Sequence, residues 1–388
     1  MDAFIPVNEP DLTGNKKKYL LECVETGWIS SEGPYVTKFE EQFAARVGRQ
    51  YGIAMCNGTA ALVAAVRALQ LALGDEVILP AFAIISCITA ILESGLKPVL
   101  VDMEPRTWNM AVNQIGAKLT PKTRAILVVH TYGLPVEMNR VLEIARHHNL
   151  RVIEDAAEMH GQTYYGQPCG SFGDLSAFSF YANKHITTGE GGMVVTDDAA
   201  LAERCRSLRN LCFQPARRFV HEEMGWNFRL TNLQAALGVA QLERLDQFVF
   251  KKRRLGAFYT ELLSGMKGLE LPVPETPAAK NIYWVYGLVL AEEIPFDAAA
   301  MMERLKQHGI GTRPFFWGLH EQPVLQRQGW FPGERYPVTE RLARRGFYLP
   351  SGLALTEAHQ QRAVAALKTI LAAQMLGERR GARETEAL

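Results

Sequence analysis

The chain has 388 residues, 48% of them hydrophobic and 21% charged, with a formal net charge of +1. This composition is typical of a soluble globular enzyme, and the length suggests a large domain plus a smaller one. Because the charges nearly cancel, no global field favours nucleic acid or an anionic membrane, and we expect neither as a partner.

The cysteines and the amino terminus indicate the compartment. Six cysteines are scattered without a CxxC pair or a zinc-type Cys/His cluster, which predicts free thiols and no metal site. The first residues, MDAFIPVNEPDL, lack a basic region followed by an apolar core, so no signal peptide is predicted. No apolar run has the length of a membrane span. We therefore expect a cytoplasmic protein.

Short apolar runs alternate with helical patterns from about residue 50 to 200. The predicted strands are YGIAMC (51–56), EVILP (76–80), KPVLVD (97–102), TRAILVVH (123–130), RVIEDA (151–156), DLSAFSFY (174–181) and GGMVVTD (191–197). Helices are predicted after the first two strands, at 137–148, at 199–212 and, as one long amphipathic helix, at 231–265. Strands that are apolar on both faces and separated by helices predict an α/β fold with a mostly parallel, helix-covered sheet.

The pattern changes after Tyr283. The segments 283–290, 301–313 and 357–374 predict a smaller α+β domain. We predict a large domain over 1–250 and a small domain over 251–376, with residues 1–35 packing near the small one. The tail 377–388 has six charges in twelve residues and no apolar period. It is predicted to be disordered.

Lys184 lies after an apolar strand and before the turn TTGEGG (187–192). Such a lysine is commonly solvated, but this turn offers hydroxyls, backbone N–H groups and flexibility. In a dry, polar-lined cleft a lysine loses its proton readily and becomes a nucleophile that forms a Schiff base with a carbonyl partner.

Two further motifs carry chemistry. In NGTAALVAAV (57–66), Gly58 allows close backbone approach and Thr59 supplies a hydroxyl at a helix start, which predicts an anion site. A capped helix without a ligand explains the same residues. In VIEDAAEMHG (152–161), Glu154 and Asp155 end a strand. Ligands of open parallel sheets bind there, and a carboxylate can hold a cationic ring nitrogen. The alternative is a helix cap.

One cofactor fits all three motifs. Pyridoxal 5′-phosphate (PLP) needs an amine for its aldehyde, a carboxylate for its pyridinium nitrogen and an anion site for its phosphate. The motifs occur in the order phosphate loop, Asp155, Lys184. An NAD-binding protein is disfavoured because no GxGxxG motif follows the first strand.

A family resemblance extends over nearly the whole chain. The stretches that carry it are GWISSEGPYVTKFE, NGTAAL, HTYGLPVEM, VIEDAAEMHG, FSFYANKHITTGEGGMVVTDD, GWNFRLTNLQAALGVAQLERL, GIGTRPFFWGLH and GFYLPSGLAL. In these the chain resembles the fold-type I, PLP-dependent nucleotide-sugar aminotransferases of the DegT/DnrJ/StrS family. NEPDLTGNKKKY and TRPFFWGLH are most similar to the branch that aminates GDP-4-keto-6-deoxy-D-mannose.

The resemblance implies roles for the cofactor site. Lys184 would form the Schiff base and later carry the proton, while Asp155 would keep the pyridine nitrogen protonated. The residues implied in cofactor binding besides these are Gly58, Thr59 and Ser179 at the phosphate, Glu158 near the ring oxygen, Ile84 where relatives place a ring-stacking aromatic residue, and Asn227 reaching the neighbouring subunit's phosphate. The active sites would then be shared across a homodimer interface.

The implied substrate residues are His160, Arg229, Arg313 and His320. For His160, a place in the site and a buried polar contact both remain open.

The implied reaction moves an amino group from L-glutamate to a keto sugar nucleotide, with the cofactor alternating between PLP and its amine form, PMP. Part of the family carries histidine instead of the lysine and dehydrates sugars, so Lys184 favours transamination. The alternatives are a UDP- or dTDP-linked keto sugar aminated at C3 or C4, and a PLP-binding regulator without turnover. The favoured product belongs to the sugars of lipopolysaccharide O-antigens.

Overall fold

The computed structural model describes residues 3–214 and 216–385. Its strands are β1 (Tyr51–Met55), β2 (Glu76–Pro80), β3 (Lys97–Val101), β4 (Thr123–Val129), β5 (Arg151–Asp155), β6 (Thr163–Tyr164), β7 (Gln167–Pro168), β8 (Leu175–Ser179), β9 (Gly192–Thr196), β10 (Leu269–Glu270), β11 (Tyr286–Leu290), β12 (Arg313–Pro314) and β13 (Gly346–Leu349).

The helices alternate with these strands. They are α1 (Lys16–Thr26), α2 (Pro34–Val47), α3 (Gly58–Ala68), α4 (Ile85–Glu93), α5 (Ile115–Lys118), α6 (Met138–His148), α7 (Ala199–Arg209), α8 (Asn232–Leu242), α9 (Leu245–Leu263), α10 (Ala298–Gln307), α11 (Pro323–Arg327), α12 (Pro337–Arg345) and α13 (Glu357–Thr385), with 3-10 turns at Val112–Gln114 and Leu319–Glu321. None of the helices in the described part of the chain combines the length and apolar character that a membrane span requires.

The large sheet has seven strands in the order β1-β9-β8-β5-β4-β2-β3. The strands from β8 to β3 pair in parallel, whereas β9 is antiparallel to both of its neighbours. The predicted α/β fold with a mostly parallel sheet is confirmed. Since β5 and β8 are parallel neighbours, Asp155 and Ser179 lie at the same edge of the sheet.

Both faces of this sheet are buried. Along β4, Ile126 and Val128 belong to one apolar core and Leu127 to the other. Successive side chains of a strand point to opposite faces, so a continuous apolar run fills both layers. Helix α3 is buried on nearly all sides and packs on β8 and β9, which fixes its amino terminus at the edge of the sheet.

The predicted single helix over 231–265 is wrong. Helix α8 ends at Leu242 and α9 begins at Leu245. No proline or glycine marks the break. Instead, the amino-terminal segment redirects the chain, because Gln241 donates to the Asp11 carbonyl and Arg244 pairs with the Asp11 carboxylate at 3.0 Å. The predicted helix over 199–212 also ends early, at Arg209, since Leu211 and Cys212 have positive φ angles.

The second sheet is antiparallel, with the order β10-β11-β13-β12. Residues 5–7 run beside it, where Ile5 exchanges backbone hydrogen bonds with Gly309 and Gly311. Helix α9 crosses the predicted boundary at residue 250, and the domain limits stay predictions. Helix α13 extends to Thr385. The predicted disorder of the tail stays a prediction, and its last residues, 386–388, lie outside the described residues.

Candidate active site

The amino terminus of α3 forms one end of the site. Asn57 has an extended backbone, and its side chain accepts a hydrogen bond from the Ala60 N–H at 2.8 Å, so the helix starts at Gly58. The first N–H groups of a helix have no partner within it and attract anions. The Thr59 hydroxyl lies 2.7 Å from that of Ser86, which adds further donors.

Gly58 has no space for a side chain. A Cβ at this position would lie 2.7 Å from the Ser179 Cβ and 3.2 Å from its hydroxyl. Glycine therefore lets the α3 terminus approach the end of β8, and Ser179 joins the same polar cluster. Gly58, Thr59 and Ser179 therefore lie together, and their binding of an anion stays a prediction.

The two adjacent acids at the end of β5 point in different directions. Asp155 is buried, and its Oδ1 accepts from the Ala157 N–H at 3.0 Å, while its Oδ2 accepts from the Cys87 thiol at 3.2 Å. Glu154 faces the opposite side of the sheet, where it accepts from the backbone N–H groups of Gly170, Phe172 and Gly173. Only Asp155 faces the candidate site.

Glu154 is a buried anion that organises structure. His130 accepts from the Val136 N–H through Nδ1, so its Nε2 carries the proton and donates to Glu154 at 3.1 Å. Burial raises the pKa of Glu154, but the hydrogen bonds from His130 and the backbone outweigh burial and lower the pKa below its usual value.

Lys184 follows β8 in a turn closed by a hydrogen bond from its N–H to the Tyr181 carbonyl. Its Nζ lies 3.9 Å from the centre of the Trp284 ring and 3.9 Å from Glu158 Oε1. Burial lowers the pKa of Lys184, and the negative charges of Glu158 and Asp155 oppose this shift. The amine is therefore placed to lose its proton more easily than a surface lysine.

Glu158 is a buried carboxyl whose Oε2 accepts from the Tyr132 N–H at 2.7 Å. Burial raises its pKa to about 8, with Lys184 acting in the opposite direction. At neutral pH this carboxyl is mostly protonated, and its ionisation is coupled to that of Lys184.

A cavity of about 320 Å³ connects these groups. Its volume lies in the range of small-molecule sites. The predicted residues that line it are Gly58, Thr59, Ile84, Asp155, Glu158, Ser179 and Lys184. The cavity thus holds an anion site, a buried carboxylate and a buried amine, the three groups that PLP requires. The Asn183 Oδ1, which also lies at the cavity, is a buried acceptor without a protein partner.

The remaining predicted residues do not line this cavity. His160 lies behind it against Phe178 and Phe180, and burial lowers its pKa to about 3, so the ring is neutral. Arg313 is exposed on β12, opposite Tyr348, which does line the cavity.

His320 and Arg229 also do not line the cavity. His320 is buried beside Glu340 at 3.3 Å, and Glu340 also pairs with Arg335. His320, Glu321 and Glu340 could together approach a metal ion, but Arg335 and Arg344 already neutralise the two carboxylates. The substrate roles of these residues stay predictions.

Asn227 and Arg229 lie on a loop that returns beside α7. Asn227 is exposed and forms a β-bridge with Asn210, and Arg229 donates to the Asn210 side chain at 2.6 Å. Neither residue lines the cavity.

Sequence reasoning missed Trp284, Cys87 and Ser86. Trp284 precedes β11, about a hundred residues after Lys184, and no local signal connects the two. Ser86 and Cys87 lie in the first turn of α4, directly after Ile84, so a closer inspection of that helix start offered a signal.

An open α/β sheet with an amine, a carboxylate and an anion site at one edge is the arrangement of fold-type I, PLP-dependent transaminases, and the chain is of that class. It belongs to the DegT/DnrJ/EryC1/StrS aminotransferase family, whose model matches residues 10–368.

Similar proteins agree with this assignment. The chain is 41% identical to a GDP-perosamine synthase of Escherichia coli O157:H7 over 90% of this chain and 93% of the relative. It is 40% identical to a GDP-perosamine synthase of Caulobacter vibrioides over 95% and 98%. The solved structure of DesI in the presence of its TDP-sugar product is 32% identical, with a TM-score of 0.88 over 98% of this chain and 96% of that one.

Proposed function

We propose that this chain transfers an amino group from L-glutamate to GDP-4-keto-6-deoxy-D-mannose and so forms GDP-perosamine. The observation that carries the proposal is the single cavity in which Lys184, Asp155 and the α3 terminus meet. The substrate assignment rests on the GDP-perosamine synthases to which the chain is similar over nearly its full length. The free thiols favour a reducing compartment, so we place the reaction in the cytoplasm.

When bound, PLP supplies an aldehyde that condenses with amines and a protonated ring that withdraws electrons. The protein would bind PLP through its phosphate and its ring nitrogen. Gly58, Thr59 and Ser179 would bind the phosphate, and the Asp155 carboxylate would keep the proton on the ring nitrogen. Lys184 lines the same cavity, so its amine would be available to the bound cofactor.

Lys184 has two roles. Its neutral amine would be the nucleophile for the cofactor aldehyde, and Nζ would hold and move the proton during transfer of the amino group. Trp284 covers one side of Nζ and excludes water from it. Glu158, whose Oε1 lies 3.9 Å from Nζ, would bind near the ring oxygen of the cofactor.

The substrate is tested directly with purified enzyme and L-glutamate. GDP-, UDP- and dTDP-linked keto sugars are offered as acceptors, and the amino sugar is measured by mass. We expect an absorbance band near 400 nm that shifts with glutamate, and fastest turnover with the GDP sugar. Faster turnover with a UDP or dTDP sugar would reassign the substrate, and a glutamate-responsive band without turnover on any sugar would favour the regulator.

We also propose that two subunits share each site. Asn227 lies exposed at the surface, consistent with a contact to the phosphate in the neighbouring subunit of a homodimer. Arg229 would hold an anionic group there, the glutamate carboxylate or the sugar's diphosphate, because its planar fork suits both.

Mixing two inactive proteins tests the shared site. One carries Lys184→Ala and the other carries both Asn227→Ala and Arg229→Ala. Random exchange makes half of the dimers mixed, and each has one intact site, so about a quarter of wild-type specific activity is expected. If no activity returns after exchange is demonstrated, each site belongs to one subunit.

A further inference from the structure

Both oxygens of the Asp155 carboxylate accept hydrogen bonds from the protein. The Ala157 N–H donates to Oδ1 at 3.0 Å, and the Cys87 thiol donates to Oδ2 at 3.2 Å. The first contact follows from the turn after β5, but the second comes from α4. Two hydrogen bonds, one to each oxygen, fix the orientation of the carboxylate plane. With only one of them the carboxylate could still rotate.

Cys87 belongs to the turn of α4 that contributes to the cavity. Ile84 and Ser86 line the cavity, whereas Cys87 lies beneath it with no exposed surface. Position 87 therefore faces the sheet at the end of β5. The thiol contact between α4 and β5 fixes the position of Ser86 relative to Asp155, and so affects the binding of any ligand that contacts both residues.

The thiol remains a donor throughout the working pH range. Burial raises the pKa of Cys87 well above its usual value, and the negative charge of Asp155 raises it further. Other buried cysteines make different contacts: the Cys205 thiol faces the Ala64 carbonyl at 3.8 Å, and Cys23 lies beside Asn232. Because an S–H group is a weak donor, it orients the carboxylate while withdrawing little of its charge.

We propose that Cys87 is a positioning residue that directs the Asp155 carboxylate towards the ring nitrogen of the cofactor. This rests on the proposed PLP-dependent function. Cys87 touches neither substrate nor cofactor, and its effect reaches the reaction only through Asp155.

The test compares Cys87→Ala, Cys87→Ser and the control Cys205→Ala. Both alanine variants delete one buried thiol, but only Cys87 contacts a carboxylate. Apoprotein is titrated with PLP, the pH dependence of the bound cofactor's absorbance is recorded, and kcat and KM are measured with glutamate. Cys87→Ala is expected to weaken PLP binding about threefold, from loss of one weak hydrogen bond to the Asp155 carboxylate, and to lower kcat with little change in KM.

The expected pattern separates positioning from packing. Cys87→Ser keeps a donor and should recover most of the PLP affinity, and Cys205→Ala should match the wild type. Equal effects of the two alanine variants, or no recovery with serine, would overturn the proposal. Thermal unfolding of the apoproteins identifies any variant that fails to fold. If Cys87→Ala is such a variant, the pH dependence of the bound cofactor's absorbance in Cys87→Ser tests the proposal instead.

A double-mutant cycle completes the test. In an Asp155→Asn background, Cys87→Ala should not weaken PLP binding further, since the group it positions is gone. Additive losses would overturn the proposal. If wild-type protein fails to bind PLP, the proposed function itself fails, whereas normal binding with indistinguishable variants rejects only the role of Cys87.

Discussion

Replacement of Glu158 by glutamine isolates the charge that acts on the reactive amine. The Glu158 Oε1 lies 3.9 Å from the Lys184 Nζ. Two full charges at that distance attract by about 4 kcal/mol at an effective dielectric constant of 20, which is an upper limit of about three pKa units on Lys184. Glutamine keeps an acceptor for the Tyr132 N–H, so the backbone contact survives.

The effect must depend on pH, because burial raises the pKa of Glu158 to about 8. Below that value the carboxyl is mostly protonated and exerts little attraction on Lys184. Above it, the ionised carboxylate stabilises the ammonium form and delays formation of the neutral amine. Glu158→Gln should therefore leave the neutral amine unchanged near pH 7 and increase it at higher pH.

The assay follows PLP uptake by apoprotein at limiting PLP through the band near 400 nm. Glu158→Gln should take up PLP as fast as the wild type up to about pH 7 and about tenfold faster at about pH 9. The tenfold figure assumes that the substitution lowers the pKa of Lys184 by about one unit, well below the upper limit of about three. Glu190→Gln is the control, since Glu190 lines the same cavity. Parallel pH profiles for Glu158→Gln and wild type would refute the coupling of this pair.

Three further substitutions test other parts of the structure. Lys252 is buried with Nζ bonded to the Trp284 and Ser351 carbonyls, and burial lowers its pKa to about 7. Between about pH 7 and 10.5, position 252 carries a proton in the unfolded wild-type chain but not in the folded one. The free energy of unfolding of the wild type, measured in urea and compared with that of Lys252→Met, should therefore rise by up to about 1.4 kcal/mol per pH unit. Unfolding free energies that stay parallel with pH would contradict this. Gly58→Ala should weaken PLP binding about tenfold or more by displacing Ser179, whereas Gly116→Ala, with no atom within 4 Å of its Cβ, should not. Glu154→Gln replaces a buried anion with a group that also donates, and should cost about 3 kcal/mol in urea unfolding; a loss below about 1 kcal/mol would contradict its structural role.

The sequence predicted those parts of the fold and site that depend on local patterns. Apolar runs predicted the strands of the parallel sheet, and the positions of Asp155 and Ser179 at two strand ends placed them at one edge. The break between α8 and α9 escaped prediction because it depends on Asp11, more than two hundred residues away in the chain. Trp284 escaped for the same reason, since only tertiary folding brings it against Lys184.

Trp284 is held by hydrogen bonds at its backbone and at its indole ring. Its backbone carbonyl accepts from Lys252 of α9, and its indole N–H donates at 3.0 Å to the carbonyl of Asn183, the residue before Lys184. A substitution that removes the indole therefore loses the contact to the lysine turn, whereas the carbonyl contact to α9 is kept by any residue. The side chain at position 284 is restricted by its link to the turn. The side chain of Phe316, by contrast, lines the cavity without a hydrogen bond to the lysine turn. We expect a lineage that adapts this scaffold to a new sugar to vary positions such as 316, where a substitution can reshape the cavity and leave the amine in place.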